Sequence, residues 1–124
     1  MKTILLVDDE FALTEILTSI LEEEGYRVVT AANGKDGMVR LEKEQPALVL
    51  VDYMMPIMNG REFILEARRI PQYQGLPLVM MSSVSPRIAL ADGEGGQLEV
   101  AGFLTKPFQL AALLGTIERL IGQP

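Results

Sequence analysis

Five short apolar runs, separated by stretches with helical periodicity, limit most strongly what this chain can fold into. They cover residues 3–7, 26–31, 47–51, 77–81 and 100–105. The first, third and fourth runs are continuously apolar, which is typical of strands buried on both faces of a parallel sheet. Strands that alternate with helices in this way predict an α/β fold, a doubly wound five-stranded parallel sheet with helices on both faces and right-handed crossovers.

Start and stop residues delimit the helices that we expect between these strands. Gly25 is a candidate C-cap for the first helix, and Asn33 is a candidate N-cap for the second. Pro71 ends the third helix, and Pro107 lies where the first turn of the last helix tolerates proline. The last helix has the clearest apolar face in the chain, formed by Leu110, Leu113, Leu114, Ile117, Leu120 and Ile121.

The fourth crossover differs from the others. Ser85 and Pro86 form a good helix start, but the sequence DGEGG follows at residues 92–96. Each glycine inside a helix costs about 1 kcal/mol relative to alanine. We therefore predict a short helix, followed by a mobile connection at 90–100 that few apolar contacts hold in place.

The chain contains no cysteine and no histidine. Disulfides, thiolate zinc sites and cysteine nucleophiles are therefore excluded, and so are the commonest metal ligand and the commonest general base. Any metal must be a hard cation held by oxygen, which points to magnesium, calcium or manganese.

Size, hydropathy and charge restrict the domain count, the location and the partners. The 124 residues, of which 48% are hydrophobic, fit a single domain spanning 1–124. No apolar run approaches the roughly 20 residues of a membrane-spanning helix, and the N-terminus lacks the features of a signal peptide, so we expect no membrane partner and a cytoplasmic location. The net charge of −6 argues against direct binding of nucleic acid.

Polar residues follow four of the five apolar runs, where a parallel sheet of this kind binds its ligands. They are Asp8, Asp9, Glu10, Asp52, Ser82, Ser83 and Lys106. Taken alone, each residue has an ordinary structural explanation; Asp9, for example, could simply cap the next helix. Taken together, adjacent carboxylates favour Mg²⁺, and a lysine beside them prepares the site for a phosphoryl group, whose acceptor would then be a carboxylate.

The chain resembles a response-regulator receiver domain of two-component signalling, similar to the chemotaxis regulators, over nearly its whole length. The stretches that carry this resemblance are, in the family's order, LLVDDE, EEGYRVVTAANG, LVLVDYMMPIMNG, PLVMMSS and FLTKPF. The resemblance implies a flavodoxin-like strand order, 2-1-3-4-5.

The resemblance also implies a phosphoryl acceptor and a metal shell. Asp52 would be the phosphorylated aspartate. Asp9 would bind Mg²⁺ directly and Asp8 through water, and the backbone carbonyl of Met54 would complete the protein's ligands together with Asp52. Mn²⁺ would be an alternative ion.

Further roles concern the phosphoryl oxygens and the switch. Lys106 would pair with these oxygens, Ser82 would hydrogen-bond to them, and Phe103 would be the aromatic switch residue. Pro107 would follow a cis peptide bond. Three features depart from the usual pattern: Ser82 stands where threonine is frequent, Phe103 lacks a tyrosine hydroxyl, and the DGEGG segment interrupts the fourth helix.

The function implied by this resemblance is a switch in a phosphorelay. Asp52 would accept a phosphoryl group from a histidine kinase or a histidine phosphotransfer protein and later lose it by hydrolysis, with no turnover of an external substrate. The surface of helix 4, strand 5 and helix 5 would then change for an unknown downstream protein. A phosphorylation-independent interaction module is the alternative. A phosphatase of the haloacid-dehalogenase type would require a second aspartate where Met54 stands.

Overall fold

The computed structural model describes all residues, 1–124, and its five strands form one parallel sheet in the order β2-β1-β3-β4-β5. The strands are β1 (Thr3–Val7), β2 (Arg27–Ala31), β3 (Leu48–Asp52), β4 (Leu78–Ser82) and β5 (Gly102–Thr105). The helices are α1 (Phe11–Glu24), α2 (Gly34–Glu44), α3 (Gly60–Arg68), α4 (Pro86–Ala89) and α5 (Leu110–Ile121), with a 3₁₀ turn at Pro71–Tyr73. The predicted fold class and strand order are confirmed.

The continuously apolar runs are buried because helices cover both faces of the sheet. Every residue of β3 and β4 is buried. On one face the sheet packs against α2, α3 and α4, with Phe63 of α3 fully buried. On the other face it packs against α1 and α5, where Leu21 and Leu113 are fully buried. None of the helices is long and apolar enough to cross a membrane.

Most helix ends agree with the sequence signals. Gly25 ends α1 in the left-handed conformation, and the Asn33 side chain caps α2 by accepting a hydrogen bond from the Asp36 amide at 2.8 Å. The prediction for Pro107 was wrong in position, since α5 begins only at Leu110 and Pro107 lies in the preceding loop. The Lys106–Pro107 peptide bond is cis, as the resemblance implied.

The fourth crossover contains a short helix, as predicted, but the loop that follows it makes more contacts than we expected. Leu90 is only 4% exposed, and the Leu98 amide donates to the Leu90 carbonyl at 2.7 Å. An antiparallel bridge joins Ala91 to Gln97, and the Asp92 carboxylate accepts from two amides within the turn. The expectation of few contacts was therefore wrong, because Leu90 turns inward and the bridge closes the loop behind it.

Candidate functional site

The predicted site residues meet at the carboxyl edge of the sheet. Asp8 follows β1 directly, whereas Asp52 and Ser82 are the last residues of β3 and β4 rather than the first residues after them. Lys106 follows β5, and its amide donates to the Ser82 carbonyl at 2.7 Å. Strand pairing thus fixes the Asp52 carboxylate, the Ser82 hydroxyl and the Lys106 ammonium relative to one another through the backbone.

Three carboxylates converge at this edge. One oxygen atom of each of Asp8, Asp9 and Asp52 lies within 4.8 Å of the others. Asp8 and Asp52 are buried, while Asp9 is exposed. The alternative role of Asp9 as a helix cap is wrong, because the N-cap of α1 is Glu10 and no side chain caps this helix. Three converging carboxylates fit a hard divalent cation that prefers oxygen ligands.

Lys106 is the cation among these acids. Its Nζ lies 2.9 Å from Asp52 Oδ1 and 3.2 Å from Asp8 Oδ2, and 3.9 Å from Glu10 Oε1. Burial disfavours the ammonium, but the hydrogen bond to Asp52 and the charges of Asp52 and Asp8 outweigh this effect and raise the pKa of Lys106. The lysine therefore stays charged and is shared between two buried carboxylates.

Asp52 is electrostatically the most perturbed acid of the site. Burial is the largest cause and raises its pKa from 3.8 to about 6; the hydrogen bond to Lys106 works against this shift, and the charges of Asp8 and Asp9 add to it. The ionised carboxylate is thus held in an unfavourable environment. A cation that binds beside Asp52 therefore stabilises its ionised form.

An open cleft of about 480 Å³ gives access to the Asp52 carboxylate. Its lining consists of Asp9, Glu10, Asp52, Met54, Ser82, Ser83 and Lys106. Met54 therefore lies at the site, as predicted, and the residue is 66% exposed. The role of its carbonyl as a metal ligand stays a prediction.

The two predicted switch residues lie near this edge but are not engaged with the acids. Ser82 is 1% exposed, and its hydroxyl donates to the Val84 carbonyl at 3.1 Å and accepts from the Val84 amide at 3.0 Å. Phe103 pairs with Met80 in the sheet and packs at the margin of the core on the α2–α3–α4 face. The serine hydroxyl is therefore held by its own loop.

The loop between β3 and α3 shapes the site in a way that the sequence analysis missed. Asn59 and Glu62 form a reciprocal capping box at the start of α3, and their spacing is a recognisable signal. Gly60 lies so close to Asp52 that a Cβ atom would overlap the Asp52 carbonyl oxygen. The first turn of α3 thus packs directly against the backbone of Asp52.

The fold and this group of acids, lysine and serine define a class of protein. The family described as "Response regulator receiver domain" matches residues 4–118. The chain therefore belongs to the response regulator receiver domains of two-component signalling.

Individual relatives agree with this assignment. The chain is 36% identical over 121 residues to the transcriptional regulatory protein CpxR homolog of Haemophilus influenzae, covering 98% of this chain and 51% of that protein. It is 30% identical over 122 residues to the phosphate regulon transcriptional regulatory protein PhoB of Rhizobium meliloti, covering 95% and 51%. The chain spans about half the length of the curated relatives it matches.

Solved structures agree as well. The chemotaxis protein CheY4 of Vibrio cholerae superposes with a TM-score of 0.85 at 31% identity, covering 98% of this chain and 99% of that one. The response regulator TrrA of Thermotoga maritima, solved in complex with Mg²⁺ and BeF, superposes with a TM-score of 0.83 at 27% identity and covers 98% and 100%.

Proposed function

We propose that this chain is a phosphorylation-controlled switch in which Asp52 accepts a phosphoryl group from a phosphohistidine. The observation that carries the proposal is the position of the buried Asp52 carboxylate, 2.9 Å from Lys106 and beside two further carboxylates at the floor of an open cleft. The donor would be a histidine kinase or a histidine phosphotransfer protein. A carboxylate with only a structural role would not require a cleft that opens it to solvent.

The chemical step follows from these positions. An Asp52 oxygen attacks phosphorus and forms a P–O bond, while the P–N bond to imidazole breaks and its electron pair leaves with the nitrogen, which takes a proton from solvent. Lys106 neutralises phosphoryl oxygens as it now neutralises Asp52. Hydrolysis reverses the modification: water attacks phosphorus, the P–O bond to Asp52 breaks, and phosphate leaves with the carboxylate restored.

Asp8, Asp9 and Asp52 would hold Mg²⁺, together with the Met54 carbonyl, and Mn²⁺ is an alternative because it accepts the same oxygen ligands. When bound, the ion supplies positive charge to the phosphoryl oxygens and offsets the repulsion between the carboxylates. The chain's own part is to hold these oxygens together on strand ends that the sheet keeps rigid.

The phosphoryl group would change the output face through Ser82. Its hydroxyl now bonds only to its own loop, so it can turn toward phosphoryl oxygens, and the space that it vacates would admit Phe103. The surface of α4, β5 and α5 would then favour a downstream protein. This is a population shift between two states of the same fold.

The test uses acetyl phosphate, a small donor that needs no protein partner. With Mg²⁺, mass spectrometry of the unmodified chain should show one labile adduct. Asp52→Asn should abolish the adduct, and Asp36→Asn, which removes an acid of α2 outside the site, should retain it. An adduct that persists on Asp52→Asn, or that forms equally well in EDTA, contradicts the proposal, and no adduct at all favours an interaction module that works without phosphorylation.

A further inference from the structure

Methionine is the only residue type in this chain that carries sulfur. The chain contains seven methionines and no cysteine. An oxidant converts the methionine thioether to a sulfoxide, which turns a flexible apolar side chain into a polar one, and methionine sulfoxide reductases reverse the change. Oxidation of sulfur in this protein is therefore confined to methionine, and burial decides which of these side chains an oxidant can reach.

The methionines differ widely in burial. Met1 is 88% exposed and Met54 is 66% exposed. The other five are fully buried in β4 or half-buried against the core of the α2–α3–α4 face. These shielded residues are Met38, Met55, Met58, Met80 and Met81. The folded chain thus presents two methionines to a reagent in solution.

Only one of the two exposed methionines lies at the candidate site. Met1 precedes β1 and is therefore at the amino edge of the parallel sheet, away from Asp52. Met54 follows Asp52 by two residues and is the only hydrophobic residue in the lining of the cleft of about 480 Å³. A small molecule that enters this cleft toward Asp52 therefore meets Met54.

We propose that Met54 is a modification site for hydroperoxides, and that its sulfoxide slows phosphoryl transfer to Asp52. The second half of this inference rests on the proposed function. In the modification, the Met54 sulfur attacks one peroxide oxygen, so that an S–O bond forms while the O–O bond breaks. The leaving hydroxide takes the proton of the transferred oxygen and departs as water. Sulfur is oxidised by two electrons, and the peroxide is reduced by two.

The effect on transfer follows from the hydrogen bonds of Lys106. This lysine is the only cationic residue in the lining of the cleft, and its Nζ lies 2.9 Å from Asp52 Oδ1 and 3.2 Å from Asp8 Oδ2. The thioether of Met54 does not compete with these acids, because its sulfur is a weak acceptor. A sulfoxide oxygen in the same lining is a polar acceptor that competes for the ammonium. Lys106 is then less available to the phosphoryl oxygens, so the transfer slows.

The first experiment maps the oxidation. Hydrogen peroxide is added to the folded chain for increasing times, and tandem mass spectrometry of its peptides separates the neighbouring methionines. Met54 should react at least about tenfold faster than Met55 and Met58, which react only when the structure opens locally. Met1 serves as the exposed reference. In urea the rates should converge, because the differences arise from burial.

The second experiment measures labelling of Asp52 by acetyl phosphate in Mg²⁺, with each protein compared with its own unoxidised form after the peroxide is removed. In the unsubstituted chain the rate should fall about fivefold, the factor expected for one hydrogen bond. Treatment with both sulfoxide reductases, one for each epimer, should restore it. Met54→Leu should show no loss on oxidation. Met58→Leu, the matched control in the same loop, should remain as sensitive as the unsubstituted chain.

The other outcomes overturn the inference in distinguishable ways. Equal oxidation rates at Met54, Met55 and Met58 in the folded chain refute the assignment of the site. Oxidation of Met54 with unchanged or faster labelling refutes the competition for Lys106. Slowing that Met54→Leu shares shows that oxidation acts elsewhere in the chain. In each of these cases the unoxidised chain still forms the Asp52 adduct, whereas its absence from that chain refutes the proposed function itself.

Discussion

Asp52→Asn should stabilise the metal-free protein at neutral pH, because it removes a charge from an environment that disfavours it. In the folded chain the pKa of Asp52 rises from 3.8 to about 6. A difference of about 2 units corresponds to about 3 kcal/mol when the carboxylate is fully ionised. The substitution also takes a partner from Lys106, and water in the open cleft screens the charges, so we expect a gain of about 1–2 kcal/mol.

The sign of the pH dependence follows from the raised pKa. Since the folded state favours protonated Asp52, the unmodified protein gains stability as pH falls from about 6 toward 3.8. Above pH 6 the folded state bears the full free-energy cost of an ionised Asp52. Asp52→Asn lacks this titration. The difference between the two proteins should therefore be largest above pH 6 and fall toward zero near pH 3.8.

Urea unfolding in EDTA, followed by circular dichroism at several pH values, measures this difference. Glu42→Gln removes an exposed acid of α2 and serves as a matched control, with an expected change within about 0.5 kcal/mol. If Asp52→Asn is less stable than the unmodified chain at neutral pH, the ion pair with Lys106 outweighs burial, and the electrostatic argument is refuted.

Three further predictions concern other parts of the molecule. Asp9→Asn should raise the melting temperature of the metal-free protein and weaken stabilisation by Mg²⁺, which for the unmodified chain is about 2.7 kcal/mol at a hundredfold excess over Kd; a normal Mg²⁺ response would contradict its role as a ligand. Burial and the charges of Glu118 and Glu24 raise the pKa of Tyr26, whose hydroxyl donates to the Gly122 carbonyl at 2.9 Å. The contribution of this protonated hydroxyl to the stability of the folded state is therefore lost as pH rises above 10. Tyr26→Phe should therefore cost about 1 kcal/mol at neutral pH and less in alkali, and an equal cost at both pH values, measured by urea unfolding, would refute the shift. Amide exchange should be faster at 90–100 than in β1, β3 and β4, and beryllofluoride with Mg²⁺ should change it there more than in α1 to α3; uniformly slow, unresponsive exchange would place the output on another face.

The apolar runs predicted the sheet well because their cause is local and strong. A continuous run such as that of β3 has no polar side to expose, so it must lie between two layers of helices. Asp8, Asp52 and Lys106 were predictable together, since parallel strands bring their carboxyl ends to one edge.

What the sequence did not predict depends on contacts between distant segments. The bridge that joins Ala91 to Gln97 has no strand pattern around it and arises because buried Leu90 brings the two sides of the loop together. The positive φ of Ile57 contradicts the preference of isoleucine and is imposed by neighbouring backbone hydrogen bonds. Local propensity cannot reveal either feature, because tertiary structure overrides it in both.

The sharing of Lys106 has a kinetic consequence. One ammonium pairs with three carboxylates, those of Asp8, Glu10 and Asp52, while a fourth, that of Asp9, lies beside Asp8 and Asp52 without contacting it. In the absence of a divalent ion the entrance therefore carries an excess of negative charge, and an incoming phosphoryl dianion meets a repulsive field. Under the proposed function, free Mg²⁺ would therefore set both the rate at which phosphoryl donors reach Asp52 and the stability of the phosphoryl group once it is attached. Monovalent salt, which screens this charge, should accordingly speed the encounter between a phosphoryl donor and the metal-free chain. It should have much less effect once the divalent ion is bound.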